Sequence, residues 1–200
     1  MVFDILSRRN KDREKYGDRL PPGQKLVEDW PVLTYGGIPR VDPASWELRL
    51  YGLVETEVTL NWEQLQALPS MKVQCDIHCV TSWSRFDNEF EGLAIPDLLK
   101  LVQLKPNATA VIAHCYGGYT TNLLMSDLDR PNNLLAYKHG GNWLHPSHGG
   151  PVRLMVPHLY FWKSAKWLKA LEFIDRDRPG FWEQYGYHMR GDPWKEERYS

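Results

Sequence analysis

Five cysteine and histidine side chains suited to metal binding fall in two short strings of this chain, Cys75-Asp-Ile-His78-Cys79 and His114-Cys115. A closed zinc site would draw four such ligands into a tetrahedron. The spacing argues against that geometry, because successive side chains of a strand point to opposite faces. Cys75 and Cys79 then share a face that His78 opposes, and His114 likewise opposes Cys115. The chain has no Cys-x-x-Cys pair, so a zinc-stabilised, non-catalytic protein is the remote alternative. A free cysteine ordinarily ends as a small buried hydrophobe. Cys79 differs in its position: an apolar strand ends there, and the polar string Thr81 to Gly92 follows, which reads as a long loop. A thiol at the mouth of a sheet can present its sulfur, and soft thiolate suits a transition metal held in a cofactor.

Other chemistries drop out by elimination. Neither G-x-G-x-x-G nor G-x-x-x-x-G-K-[ST] occurs, so no dinucleotide fingerprint or phosphate loop is available. The G-x-S-x-G elbow of hydrolases is also missing. Four of the seven histidines, His139, His145, His148 and His158, cluster beside glycine pairs between residues 139 and 158. Loops of that kind tend to carry sites.

Several elements must position these groups. Trp46 to Leu53 alternates as a half-buried strand, and Glu57 to Leu60 is a second. Asn61 caps a helix over Trp62 to Leu68, which Pro69 stops. Met71 to Val80 alternates with Met71, Val73, Cys75, Ile77 and Cys79 on one face. Pro96 opens a helix running to Leu104. Thr109 to Cys115 and Tyr119 to Leu124 are strands joined by Tyr116-Gly117-Gly118, and residues 139 to 151 form a long loop. Pro151 to Val156 and Trp167 to Ile174 complete the strands. The aromatic stretch Pro179 to Ser200 packs back on the domain. Strands outnumber helices and do not alternate with crossover helices, which gives an α+β class with mixed, mostly antiparallel sheets and short helices. Residues 1–20 read as a flexible charged tail before a domain over 21–200.

His78-Cys79-Val-Thr-Ser-Trp-Ser84 resembles the cysteine segment of the sulfite-oxidase superfamily of molybdenum enzymes. It is closer to the methionine-sulfoxide-reductase catalytic subunit, with its Cys-Val-x-x-Trp-Ser, than to sulfite oxidase, whose cysteine precedes small residues, Asn and arginines. Two more segments match in order: His148-Gly-Gly-Pro-Val-Arg153-Leu-Met-Val-Pro157 and Lys163-Ser-Ala-Lys-Trp-Leu168. The closing Pro179-Gly-Phe-Trp-Glu and Asp192-Pro-Trp are similar to the tail of short bacterial members. The resemblance covers the chain from about residue 30 onward. It implies a sulfite-oxidase-type molybdopterin-binding fold, with Cys79 as ligand to the molybdenum of a molybdopterin cofactor. His148, Arg153, Ser164, Ala165 and Lys166 are then the contacts to the pterin and its phosphate. Tyr35 and Gly36, in Val32 to Pro39, and Cys115 are further contacts. Arg85, the only basic side chain near the cysteine, and His145 face the substrate. The resemblance differs at one contact, where His148 stands for the family's Asn. It implies two-electron reduction of an S-oxide or N-oxide first and oxidation of sulfite second.

Lys and Arg number 24 against 25 Asp and Glu, so no global field points to nucleic acid. No apolar run approaches the roughly 20 residues that span a bilayer. The N-terminus lacks the long apolar stretch of an export signal, and three cysteines make no disulfide framework. These features place the protein in the cytoplasm. Its substrate is a small molecule, and its electrons pass to or from a separate protein.

Overall fold

The computed structural model describes residues 15–200; residues 1–14 of the expected tail lie outside the described residues. The last part of that tail is docked. Leu20 is buried, Tyr16 packs edge-on against Phe86, and Arg19 forms a two-pronged pair with Asp76.

Among the described residues, eleven strands form two sheets. The first holds β1 (Lys25–Leu26), β4 (Met71–Cys79), β5 (Trp83–Ala94), β8 (Leu134–His139), β9 (Asn142–Trp143) and β10 (Arg153–Met155). Its main path runs β1-β5-β8-β10, with β4 on the far edge of β5 and β9 beside β8. The second runs β3 (Val58–Asn61), β2 (Glu47–Gly52), β11 (Leu168–Ile174), β6 (Ala110–Cys115), β7 (Thr120–Leu124). Among the described residues only β1/β5 and β2/β11 are parallel pairs; the rest are antiparallel, giving the mixed α+β class expected.

The first sheet is buried on both faces. Leu93, Leu135, Tyr137 and Leu154 join Leu48, Leu50, Val111 and Leu171 of the second sheet in the larger core. Their immediate neighbours Ala94, Leu134, Ala136 and Met155 turn the other way, into a smaller core with Ile77, Cys79, Phe90 and Tyr160. A strand buried on both faces has no polar alternation to reveal it, and β8 is such a strand.

The helices that lie wholly within the described residues are short. α1 (Trp62–Ala67) has the Asn61 cap expected, completed as a capping box by Gln64. α2 (Ile95–Leu99) ends five residues before the expected Leu104, because Leu101 and Val102 turn off through three-residue hydrogen bonds to Leu98 and Leu99. α3 (Met125–Leu128) and α4 (Phe181–Gln184) are single turns.

The largest correction concerns the segment after Cys79. It is no loop. A three-residue turn, Val80 to Ser82, leads into the twelve-residue β5, which pairs back along β4 with Cys79 opposite Trp83. Its polar residues disguise it: Ser84 and Asn88 are fully buried and hydrogen-bonded, Ser84 to His78 and Asn88 to the carbonyls of Cys75 and Arg85. One bulge, with Asp87 at φ 55°, falls on β5, so β4 keeps Val73, Ile77 and Cys79 on the expected face.

Candidate functional site

Cys79, at the end of β4, opens onto a cavity of about 420 Å³. Its walls come from five parts of the chain: the loop Trp30 to Tyr35, the Cys79 turn, Gly117 to Tyr119, the segment from His148 to Trp167, and the C-terminal Phe181, Trp182 and Tyr187. No carboxylate lines it.

The cationic wall is held together by Arg153 on β10. Its guanidinium is buried and donates from Nη1 to His148 O at 2.8 Å and from Nη2 to Ser164 O at 2.6 Å, tying two loops. Its buried Nε has no partner. Its face lies over Phe161, 4.2 Å from the ring centre. Lys166 Nζ donates to Leu33 O, Thr34 Oγ1 and Ser147 O at 2.8, 2.6 and 3.0 Å, closing the Trp30 loop onto this wall. All of these acceptors are neutral, so both charges lack a counter-charge. Burial pulls Arg153 down to about 9, and burial with the nearby Arg153 charge pulls Lys166 down to about 8.

Local backbone explains how the loops fit. Gly149, at φ 103°, lies so close to Lys166 that a Cβ there would come within 2.9 Å of its side chain. Trp167 takes φ 55°, a costly conformation for a bulky residue, and is held by its indole N–H to Pro146 O at 2.7 Å. Ser164 is buried and its hydroxyl accepts from Val156 N–H at 3.0 Å, with Ala165 buried beside it. The His148 ring stacks on Trp30, 3.9 Å between centres. Burial, Arg153 and Lys166 push that imidazole down to about 4, so it is neutral at neutral pH.

Seven residues singled out from the sequence therefore meet at one cavity: Tyr35, Cys79, His148, Arg153, Ser164, Ala165 and Lys166. Four stand elsewhere. Gly36 makes the turn after Tyr35, at φ 75°. Cys115 is buried in the larger core, although Gly117, Gly118 and Tyr119 just after it reach the cavity. Arg85 binds Glu28 O and Asn88, and His145 is exposed and caps the turn Pro146–His148 through Ser147. Trp30, Thr81 and Trp83 line the cavity without having been assigned to it. The quoted cysteine segment contains the last two, but only the hairpin turns them inward. Trp30 had no signal beyond being aromatic.

Among the described residues, no group of three or more His, Cys, Asp or Glu is placed to hold a metal ion. A metal here needs a further ligand that the described residues do not supply. A buried thiol, one buried and one half-buried cation without counter-charge and an orphaned guanidinium nitrogen fit an anionic cofactor that carries one.

The sequence matches the family described as the oxidoreductase molybdopterin binding domain over residues 35–182. The chain belongs to that family. It is thus an oxidoreductase, and the family's cofactor is molybdenum-molybdopterin. The chain is 46% identical over 183 residues to the uncharacterized oxidoreductase YuiH of Bacillus subtilis (strain 168), covering 91% of this chain and 92% of that protein. It is 29% identical over 174 residues to the putative protein-methionine-sulfoxide reductase subunit YedZ1 of Azospira oryzae, covering 85% of this chain and 66% of the relative. Among solved structures, the sulfane dehydrogenase SoxCD of Paracoccus pantotrophus superposes with a TM-score of 0.64 at 21% identity, over 70% of this chain and 41% of that one. The fold is accordingly of the sulfite-oxidase type. No helix among the described residues is long and apolar enough to cross a membrane.

Proposed function

We propose that this oxidoreductase reduces the oxide of a small neutral molecule, an S-oxide or N-oxide, at a molybdenum bound by Cys79. The balance is two electrons and two protons taken up per oxide, releasing the reduced compound and water. The observation that carries the reading is the shared cavity: Cys79 on one wall, uncompensated Arg153 and Lys166 on the other, and no carboxylate between them. When bound, the molybdenum-pterin cofactor supplies the two-electron, oxygen-atom-transfer chemistry.

The chain's residues bind and exclude. Arg153 and Lys166 hold the cofactor's phosphate, aided by the backbone at Ser164 and Ala165 and by the His148 loop that Arg153 clamps. Tyr35 reaches the same cavity from the loop that Lys166 fastens down. Neither Arg85 nor His145 is needed in this scheme. Apart from Arg153 and Lys166 the lining has no ionised side chain, and Trp83, Phe161, Trp162, Phe181, Trp182 and Tyr187 make it largely aromatic. Such walls favour a neutral substrate over doubly charged sulfite, whose desolvation they would not offset. A separate electron-transfer protein supplies the electrons, and the three free thiols suit the reducing cytoplasm.

Purified holoprotein given S-oxides or N-oxides with a reduced dye, and sulfite with an electron acceptor, tests the direction. Turnover of the oxides is the expected result. Sulfite turnover without oxide turnover overturns the reading.

A further inference from the structure

The turn joining β4 to β5 is built around the Cys79 sulfur. Ser82 N–H donates to Cys79 O at 3.0 Å, and Ser82 itself adopts φ 70°, which closes the hairpin in three residues. Its carbonyls are gripped by residues far away in sequence. Gln24 Nε2 donates to Cys79 O at 3.0 Å, Lys25 N–H to Ser82 O at 3.1 Å, and the Arg198 guanidinium to Val80 O. Segments near both ends of the described chain thus immobilise the turn.

Within this clamped turn the Thr81 hydroxyl donates to Cys79 Sγ at 3.2 Å, and both side chains line the cavity. The other two cysteines have no such partner. Burial pushes Cys75 up to about 12 and pushes Cys115 further, with no hydrogen bond at either sulfur to oppose it. The Thr81 hydroxyl thus aims its proton at a sulfur that opens on the cavity.

We propose that Thr81 is a positioning residue that limits how much electron density the Cys79 sulfur gives to the molybdenum. The proposal rests on Cys79 being the metal's protein ligand. A hydroxyl donating to a ligand sulfur draws density from it, and such contacts beyond the ligands tune a metal's potential. Without the hydroxyl the sulfur becomes the stronger donor, so the metal is harder to reduce and sulfur-to-metal charge transfer needs less energy.

The test uses holoprotein carrying Thr81→Val, Thr81→Ser or Cys79→Ser. It reads molybdenum and pterin content, the sulfur-to-metal absorption band and the midpoint potential of the metal. Thr81→Val is expected to keep its cofactor, move the band to longer wavelength and lower the potential. Thr81→Ser is expected to return both to the wild-type values, and Cys79→Ser to lose the band. Should the valine variant fail to fold, Thr81→Ala carries the same comparison. A wild-type band and potential in Thr81→Val, with the band lost in Cys79→Ser, overturn this proposal alone. A band that survives Cys79→Ser overturns the assignment of Cys79 as ligand and this proposal with it.

Discussion

Lys163 and Lys166 lie three residues apart on one segment, and their surroundings are opposite in kind. Lys163 is fully buried, with its Nζ 2.5 Å from Glu183 Oε1 and within 3.0 Å of the Asn122 side chain, the Asn122 carbonyl and the Met189 carbonyl. Glu183 in turn accepts from Trp162 Nε1 and the Thr121 hydroxyl. Lys166 is half-buried, yet its hydrogen bonds go only to neutral acceptors, and the charge acting on it is that of a second cation, Arg153. A buried charge with its counter-charge is a structural pin. A buried charge without one is a cost that folding leaves standing until an anion arrives. The first holds α4 and its aromatic residues over the cavity; the second waits inside it.

Breaking the pin should have the largest effect. Glu183→Gln removes the negative partner and leaves the Lys163 ammonium buried, which costs about 3–5 kcal/mol when one half of such a pair is lost. Chemical denaturation of the cofactor-free protein should show that loss as a lower midpoint. The double change Lys163→Met with Glu183→Leu should recover much of it, since an apolar pair of similar volume replaces an ion pair at little cost. A Glu183→Gln midpoint equal to wild type would mean that the pair contributes nothing to holding α4.

Lys166→Met should invert this pattern. The cofactor-free protein should unfold near its wild-type midpoint, because the lost hydrogen bonds are offset by removing an uncompensated charge. Cofactor retention should fall about 10–100-fold, the equivalent of roughly 1.5–3 kcal/mol for one charge-assisted contact. Pterin and molybdenum content after dialysis measures it. A variant that keeps its cofactor but loses stability would make Lys166 a second pin and erase the contrast.

The two lysines also mark what could be read from residues in order. The strings around Cys79, Arg153 and Lys166 are local, and each states its chemistry within a few positions. Lys163 sits in the same quoted string, but nothing there distinguishes it from Lys166, because its partner Glu183 is twenty residues on and meets it only through folding. Trp30 and Trp182 reach the cavity from distant segments for the same reason. β5 was hidden because Ser84 and Asn88 are buried by hydrogen bonds rather than by hydrophobicity, and periodicity detects only the latter. β8 was hidden because both of its faces are apolar. Cys115 adjoins the cavity in sequence, but strand alternation turns its thiol into the core.

The smallest effect is one of pH, and it separates the empty from the loaded protein. In the cofactor-free fold Lys166 titrates at about 8, against 10.5 for a free lysine. Between those values the unfolded chain binds more protons than the folded one, so the contribution of Lys166 to stability rises with pH. Below about 8 the lysine is charged in both states, and the full penalty of burying it is present; above about 10.5 it is neutral in both, and the penalty is gone. Against Lys166→Met, the wild-type cofactor-free protein should therefore gain relative stability between pH 7 and 10 in paired thermal melts. The loaded protein should do the reverse, because an anion beside Lys166 favours the charged form and its hold weakens as the proton leaves. Cofactor dissociation from wild type should accordingly quicken over the same range, with Lys166→Met showing a flatter response. Parallel slopes in the empty and loaded proteins would show that Lys166 senses no bound anion, and would return it to the class of Lys163.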